Sequence, residues 1–377
     1  MELEIISKIS DINPREWNEI NINFHPFTSH EFLSSLEDSK SVSLETGWQP
    51  QHLILKSNKK IVGALPNYIK NHSYGEYVFD HSWANAYERA GGRYYPKLIS
   101  AIPFTPVNGP RFLYSKSFKE DVVKLICKAL KQLTVDNKLS SCHINFLSDN
   151  CKETLKSSNW IERTGLQFHW ENQGFKNFDD FLKLLKSQKR KMIKKERNYI
   201  INSNISVKKL SGEQITSSIW DKFYNFYLKT IEKKWGGAYL NRTFFQKISD
   251  KMGSKILLIL ALKDNEVIAG ALNFIGKNHL YGRNWGTIID IPFLHFELCY
   301  YQAIDFAIEN NIKTVEAGAQ GPHKIKRGYL AKPTYSYHYI PHKSFKEAIA
   351  NFVKNEEKEV SEQINYVNTI GTPYLKK

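Results

Sequence analysis

The chain has 377 residues, 41% hydrophobic and 13% aromatic, enough to bury the cores of two ordinary domains, and at 24% charged it does not have a disordered composition. Lys and Arg number 53 against 38 Asp and Glu, and the net charge of +15 favours an anionic partner: nucleic acid, a phosphorylated or carboxylated substrate, or a membrane surface. Cys127, Cys142, Cys151 and Cys299 lie far apart without CxxC or Cys/His ligand spacing, which argues against a disulfide scaffold and a zinc site and for reduced thiols in a cytoplasmic protein.

In chain order, MELEIISKIS carries early acids and no long apolar run, so 1–9 reads as a strand and not as a signal peptide. Asn13-Pro14 opens a helix through Trp17, and 30–44 reads as another. QHLIL (51–55), a turn at Ser57-Asn58-Lys59 and IVGALPNYI (61–69) form a hairpin. The passage 74–114 is aromatic and rich in turn signals; Asp80 and His81 there are acid–base candidates, and the passage is expected to wall a cleft between domains. A helix over 118–133, a strand CHINFL (142–147) and a short helix over 150–159 follow. The same order then restarts, which sets a boundary near 162 and gives domains 1–162 and 163–377. A strand QFHWENQ (167–173), a long basic helix over 178–201, a strand over 205–210 and helices over 219–234 and 243–252 lead to a meander: KILLILAL (255–262), 267–275 and 279–285. Strand 333–340 and helix 344–360 close the chain. No stretch approaches the roughly 18 apolar residues of a membrane-spanning helix.

The stretch between meander and closing strand carries the most information. Phe296, Cys299, Tyr300, Ala303, Ile304 and Ala307 form one apolar helical stripe, with Glu297, Tyr301, Asp305 and Glu309 on the other side. IKTVEA (312–317) is a buried strand, followed by Gly318-Ala319-Gln320-Gly321-Pro322-His323-Lys324. A strand ending in a Gly/Pro-punctuated loop with Gln, His and cations is where an α/β protein often holds its ligand. His323 is a candidate proton acceptor near neutral pH, and Gln320 a candidate for binding an amide or carbonyl. Lys324, Lys326 and Arg327 are candidates for a phosphate or carboxylate. His295 and Glu297 open the helix; Glu297 is a candidate general base, against a plain helix-dipole role for an acid in the first turn. Strict alternation puts Tyr281, Arg283 and Trp285 on one strand face, a pattern that suits an anionic pocket and equally suits packing. In KSQKRKMIKKER (186–197) seven cations surround a single acid on a predicted helix. Lys189, Arg190, Lys194 and Lys195 are the candidates there for nucleic-acid or other anion contacts, or for a solvated face.

A meander, a crossover helix and a strand is the order of a GNAT-type N-acyltransferase. FDHSWANAYERAGGRYYPKL, FTPVNGPR, EVIAGALNFIG, HLYGRNWG, HFELCYYQAIDFAIE and EAGAQGPHKIKRGY together resemble the FemAB-like, peptidoglycan-biosynthesis type of predicted N-acyltransferase, over nearly the whole chain. The resemblance implies an α/β fold of mixed sheets in two tandem GNAT-like domains. It also implies a transferase that moves an aminoacyl or acyl group to an amine, with no tightly bound cofactor or metal. Its donor would be aminoacyl-tRNA or acyl-CoA, and its acceptor a peptidoglycan precursor or a small molecule, with peripheral contact to an anionic membrane. One departure weighs against ordinary acetyl-CoA binding. Where a CoA pyrophosphate loop would present successive glycines, this chain has Gly286-Thr287-Ile288-Ile289-Asp290-Ile291-Pro292-Phe293. A conventional acyl-CoA transferase and a non-catalytic tRNA- or anion-binding protein on the same scaffold remain the rival readings.

Overall fold

The computed structural model describes residues 1–22, 24–148, 151–233, 237–318 and 321–375. They form two compact units, Met1–Leu166 with Pro333–Glu362, and Gln167–Lys332 with Gln363–Lys377.

The first unit opens with β1 (Glu2–Ile6), α1 (Pro14–Ile20) and α2 (His30–Asp38), then β2 (Trp48–Pro50), β3 (His52–Ser57), β4 (Lys60–Leu65) and β5 (Tyr68–Lys70). Asn13 caps α1 by accepting from Arg15 N–H, with Pro14 behind it, and Ser29 caps α2 by accepting from Phe32 N–H. α2 ends six residues short of the expected 44, because Ser39 donates to Leu36 O at 3.1 Å and bonds Ser41 at 3.0 Å, and these local bonds compete with another helical turn. The passage read as loop-rich holds α3 (His81–Arg89), β6 (Lys97–Ser100) and β7 (Leu113–Tyr114). α4 (Lys119–Asp136), β8 (Cys142–Ile144) and α5 (Lys152–Ser157) complete the run. One sheet has the order β1-β3-β4-β7 and is antiparallel throughout. In the other, β2, β5, β6 and β8 are neighbours, and β6 and β8 are parallel. Val122, Ile126 and Leu130 of α4 fill the core against Leu53, Leu65 and Ile144.

β9 (Ile161–Glu171) leads into the second unit, which holds α6 (Phe178–Lys183), α7 (Ser187–Asn202), β10 (Ile205–Leu210), α8 (Ser217–Glu232) and α9 (Arg242–Met252). The expected single basic helix is thus two. Around Leu185 the backbone bonds elsewhere: Lys186 N–H donates to Pro373 O at 2.9 Å and Leu375 N–H to Leu184 O at 2.9 Å. The meander is β11 (Ile256–Lys263), β12 (Glu266–Ile275) and β13 (His279–Thr287), with Asp264 and Asn265 at positive φ in the first tight turn. β11 is buried from Ile256 through Leu262, as a continuous apolar run covered on both faces should be.

The next helix is α10 (Leu294–Phe296), a π-helical turn over Glu297–Tyr301, and α11 (Gln302–Glu309). β14 (Thr314–Glu316) lies parallel to β13, and the sheet order is β10-β11-β12-β13-β14-β9. β15 (Leu330–Tyr339) and α12 (Lys343–Thr369) end the chain. From Pro333 to Glu362 that ending packs with the first unit: Tyr337 enters its α4 core, and Ile340, Phe345, Ile349 and Val353 form a cluster with Trp83 and Tyr94. The fold is α/β, with one antiparallel and one mixed sheet, in two compact units.

Candidate active site

β13 and β14 pair only from His279↔Thr314 to Tyr281↔Glu316. β13 then continues beside β12 to Thr287, whereas β14 has ended. At that parting lie the strand end, the start of the 294–309 helix and the 3-10 segment Pro322–Arg327, a place where open α/β sheets commonly hold ligands.

Aromatic rings form a continuous wall there. Trp285 sits 5.1 Å from His295, His295 sits 5.3 Å from Tyr300 and 6.1 Å from His323, and Phe296 sits 5.7 Å from His323. The Tyr300 hydroxyl is 2.8 Å from His323 Nε2. Burial, with Arg327 and Lys324 nearby, lowers the His323 pKa, so its ring is neutral at physiological pH, and burial raises that of Tyr300. Lys324 is 1% exposed and donates to Gly318 O at 2.8 Å. Burial brings its ammonium down to about 8, with the Arg283 charge adding to the effect.

Arg327 does not face solvent as a free phosphate ligand. It is 4% exposed and donates to both Glu196 oxygens, at 2.7 and 3.2 Å, to Tyr301 Oη at 3.0 Å and to His323 O at 2.9 Å. Its guanidinium also lies 3.4 Å from the Phe296 ring centre. Tyr301 donates its hydroxyl to the same Glu196 carboxylate. Beside this cluster Arg197 donates to Glu297 at 3.1 Å and to Asp305 at 2.7 Å, and Gln302 donates to Glu297 at 2.7 Å. Glu297 and Tyr301, expected on a polar helix side, are therefore buried, because α6 and α7 cover that side and supply their partners. Burial raises the Glu297 pKa against the pull of Arg197, and its Oε2 has no hydrogen-bond partner among the described residues.

Tyr281, Arg283 and Trp285 do not share one face. The β12–β13 register passes from Asn273↔Gly282 to Leu272↔Asn284, leaving Arg283 as a bulged residue. Tyr281 then faces with Phe274 and Trp285 with Ala271, on opposite sides of the sheet. Tyr281 is buried against His279, with ring centres 5.6 Å apart, and Trp285 belongs to the aromatic wall. Lys326, Lys194 and Lys195 are exposed, and Lys189 and Arg190 are half-buried on α7. Gln320 lies outside the described residues.

The stretch that would cradle a CoA pyrophosphate does other work. Gly286 is required because α8 lies against β13: a Cβ there would come within 2.1 Å of Phe226 O. Pro292 has no N–H, and the helix start already satisfies Leu294 N–H on Ile291 O at 3.2 Å and Glu297 N–H on Phe293 O at 2.9 Å. No helix among the described residues is long and apolar enough to cross a membrane.

Sequence reasoning missed Glu196 and the two consecutive tyrosines as site builders. The only available signal was a single acid inside a run of cations, which in the structure turns inward.

A two-unit α/β protein with an aromatic, cation-edged site at a sheet's parting strands is the class defined so far. The chain belongs to the FemAB-like family of peptidoglycan biosynthesis/recognition, which matches residues 8–376. The crystal structure of FemX superposes with a TM-score of 0.56 at 11% identity, covering 93% of this chain and 100% of that one. The C-terminal domain of a putative lysylphosphatidylglycerol synthetase from Agrobacterium fabrum does so with a TM-score of 0.55 at 9% identity, over 90% of this chain and 95% of that one. L-PGS from Bacillus licheniformis gives 0.50 at 7% identity, over 85% and 95%. At such identities the similarity concerns the fold. A comparison with curated proteins finds no match. Family membership supports an acyltransferase role in peptidoglycan biosynthesis.

Proposed function

We propose that the second unit transfers an aminoacyl group from aminoacyl-tRNA to an amine of a peptidoglycan-precursor peptide. The observation that carries this reading is the neutral His323 ring, held by Tyr300 beside the buried Lys324 where β13 and β14 part. With Nε2–H donated to Tyr300, Nδ1 keeps a lone pair. The amine nitrogen attacks the ester carbonyl, the ester C–O bond breaks, and the amine proton passes to His323 Nδ1 and on to the departing tRNA oxygen. Lys324 and Gln320 serve as donors to the carbonyl oxygen as it gains charge. Glu297 holds Arg197 and with it α7, and the aromatic wall excludes water. Lys326 and the α7 cations Lys189, Arg190, Lys194 and Lys195 hold donor phosphates. Aminoacyl-tRNA is preferred to acyl-CoA as donor because, in the 286–293 stretch, Ile288 N–H already donates to Ile268 O, Ile289 N–H donates to Thr287 Oγ1, and Pro292 has no N–H.

The test is transfer by the full chain with charged tRNA or acetyl-CoA as sole donor and a precursor peptide as acceptor. Charged tRNA is expected to serve, and His323→Ala to lower kcat by about 10²–10⁴-fold with an unchanged unfolding midpoint. Turnover with acetyl-CoA alone would overturn the donor, and a wild-type rate in His323→Ala would overturn the site.

A further inference from the structure

Glu196 is the single acid in the basic run of α7, and it is 5% exposed. Ile193 and Ile200, on the same inward face, show what a buried position of this helix otherwise holds. Withdrawing a carboxylate from water is costly, and a buried ion pair often stabilises no better than apolar side chains of similar volume. Stability alone is therefore a weak reason for an acid at this position.

The bonds of this carboxylate lead to one ring. Glu196 Oε1 accepts from Arg327 Nη2 at 2.7 Å, and Oε2 accepts from Arg327 Nε at 3.2 Å and from the Tyr301 hydroxyl. The remaining guanidinium nitrogen, Nη1, donates to His323 O at 2.9 Å. Tyr301 follows Tyr300 in the π-helical turn, and the Tyr300 hydroxyl meets His323 Nε2 at 2.8 Å. One carboxylate thus fixes His323 from two sides: its main chain through Arg327, and its ring through the turn that carries Tyr300. Among the described residues, the Glu196 carboxylate and the Arg327 guanidinium hydrogen-bond only each other, Tyr301 and His323.

The packing around these bonds leaves the ring one seat. Phe296 lies 3.4 Å from the Arg327 guanidinium and 5.7 Å from the His323 ring. Gly321 makes room for that ring, since a Cβ there would come within 2.6 Å of His323 Cε1. α7 also has an anchor that does not pass through His323: Arg197 donates to Glu297 at 3.1 Å and to Asp305 at 2.7 Å.

We propose that Glu196 is a positioning residue for the transfer step. Through Arg327 and Tyr301 it holds the His323 ring where β13 and β14 part, with Nε2 on Tyr300 and Nδ1 free to take a proton. This rests on the reading that His323 moves the amine proton. Glutamine at 196 would keep the shape but replace one of the two acceptor oxygens by an NH2 donor, so the fork of Arg327 and the Tyr301 hydroxyl could no longer all be satisfied.

The experiment is a double-mutant cycle on the full chain, with kcat and KM for charged tRNA measured in the native chain, Glu196→Gln, His323→Ala and the pair. Glu196→Gln is expected to lower kcat about 10–100-fold, as a small misplacement of a reacting group does. KM should stay within about twofold, because Arg197 still anchors α7. In the His323→Ala background the same substitution should change kcat by less than about twofold, since residues that act as a unit are not additive. Glu196→Asp, which keeps the charge, should recover part of the loss. Tyr301→Phe, which removes one hydroxyl and keeps the ring, is the second variant should Glu196→Gln misfold; it should lower kcat with the same dependence on His323. Imidazole nitrogen NMR, with the His323 signals identified by their absence in His323→Ala, reads the ring without turnover. The native chain should show the Nε2–H tautomer alone, and Glu196→Gln and Tyr301→Phe a mixture of the two.

An equal loss of kcat from Glu196→Gln with and without His323 would overturn the proposal and leave His323 in its role. A single unaltered tautomer in both variants would also overturn it, as would a loss confined to KM, which would make Glu196 a plain anchor of α7. A native rate in His323→Ala would instead overturn the transfer reading, and with it the part of Glu196 in transfer, even where NMR shows the ring held.

Discussion

His143 and His338 meet through their Nδ1 atoms at 2.6 Å, and each Nε2 lies against a serine, Ser141 at 2.8 Å and Ser336 at 3.0 Å. A contact that short holds one proton between the two rings, so the pair is satisfied when both are neutral. Burial lowers His143 to about 3 and His338 well below its ordinary value; Lys97 and Arg163 push both the same way, and Asp80 opposes them. The unfolded chain binds these protons near pH 6.5, while the native chain does not until far lower pH. Stability therefore rises with pH between about 3 and 6.5 and is lost as pH falls through that window, at up to about 1.4 kcal/mol per pH unit for each ring. His338→Gln is expected to lower stability at pH 7 by about 1–3 kcal/mol, since it leaves a buried partner unmatched. It should also flatten the acid limb contributed by the pair by about half. Denaturant midpoints at pH 7, 6, 5 and 4 check this; a variant as steep as the native chain would mean that other groups set the limb. Residue roles of this kind were the least legible in the sequence. Arg327 reads as a candidate ligand for a phosphate or carboxylate, yet its partner Glu196 is 131 residues away. Nothing local announces that pairing, or the bulge at Arg283 that turns Tyr281 from Trp285.

α7 illustrates how an element divides its roles. Ile193, Glu196 and Ile200 recur at the helical period and turn inward, while Lys194 and Lys195 stay exposed. The acid and Arg197 anchor the helix to the 294–309 helix and to Arg327, and the remaining cations are left as a rigid basic surface. Replacing Lys189, Arg190, Lys194 and Lys195 by Glu is expected to weaken tRNA binding sharply and to flatten its log–log salt slope by up to about 3. The unfolding midpoint should hold, because the two ionic anchors are untouched. Filter-binding at several salt concentrations reads both effects, and an unchanged slope would reduce the run to a solvated face. Elements were the most legible scale. The meander was readable because alternation, two tight turns and a first strand that is apolar from Ile256 to Leu262 agree. The break between α6 and α7 was not, since the competing bonds come from the last residues of the chain. The π-helical turn escaped because it keeps the apolar spacing while swinging Tyr301 and Glu297 inward.

At the scale of the whole molecule, each unit is built from two separated pieces of chain. The return of the C-terminal segment to the first unit has no local signature. That return makes a prediction about stability. The first unit takes Tyr337, Ile340, Phe345, Ile349 and Val353 from beyond residue 332, all 8% exposed or less. Burying each contributes about 1.5–3 kcal/mol, and together that rivals the roughly 5–15 kcal/mol by which a domain is stable. Their loss would also bare Trp83 and Tyr94 and leave His143 without the ring that shares its proton. A chain ending at Lys332 is therefore expected to lose cooperative unfolding of the first unit, seen as a missing transition in near-ultraviolet circular dichroism and as rapid proteolysis within 1–166. If 1–166 in such a chain still melts cooperatively and resists protease as in the full protein, the first unit holds its core without the returning segment, and Tyr337, Ile340, Phe345, Ile349 and Val353 cover that core without completing it.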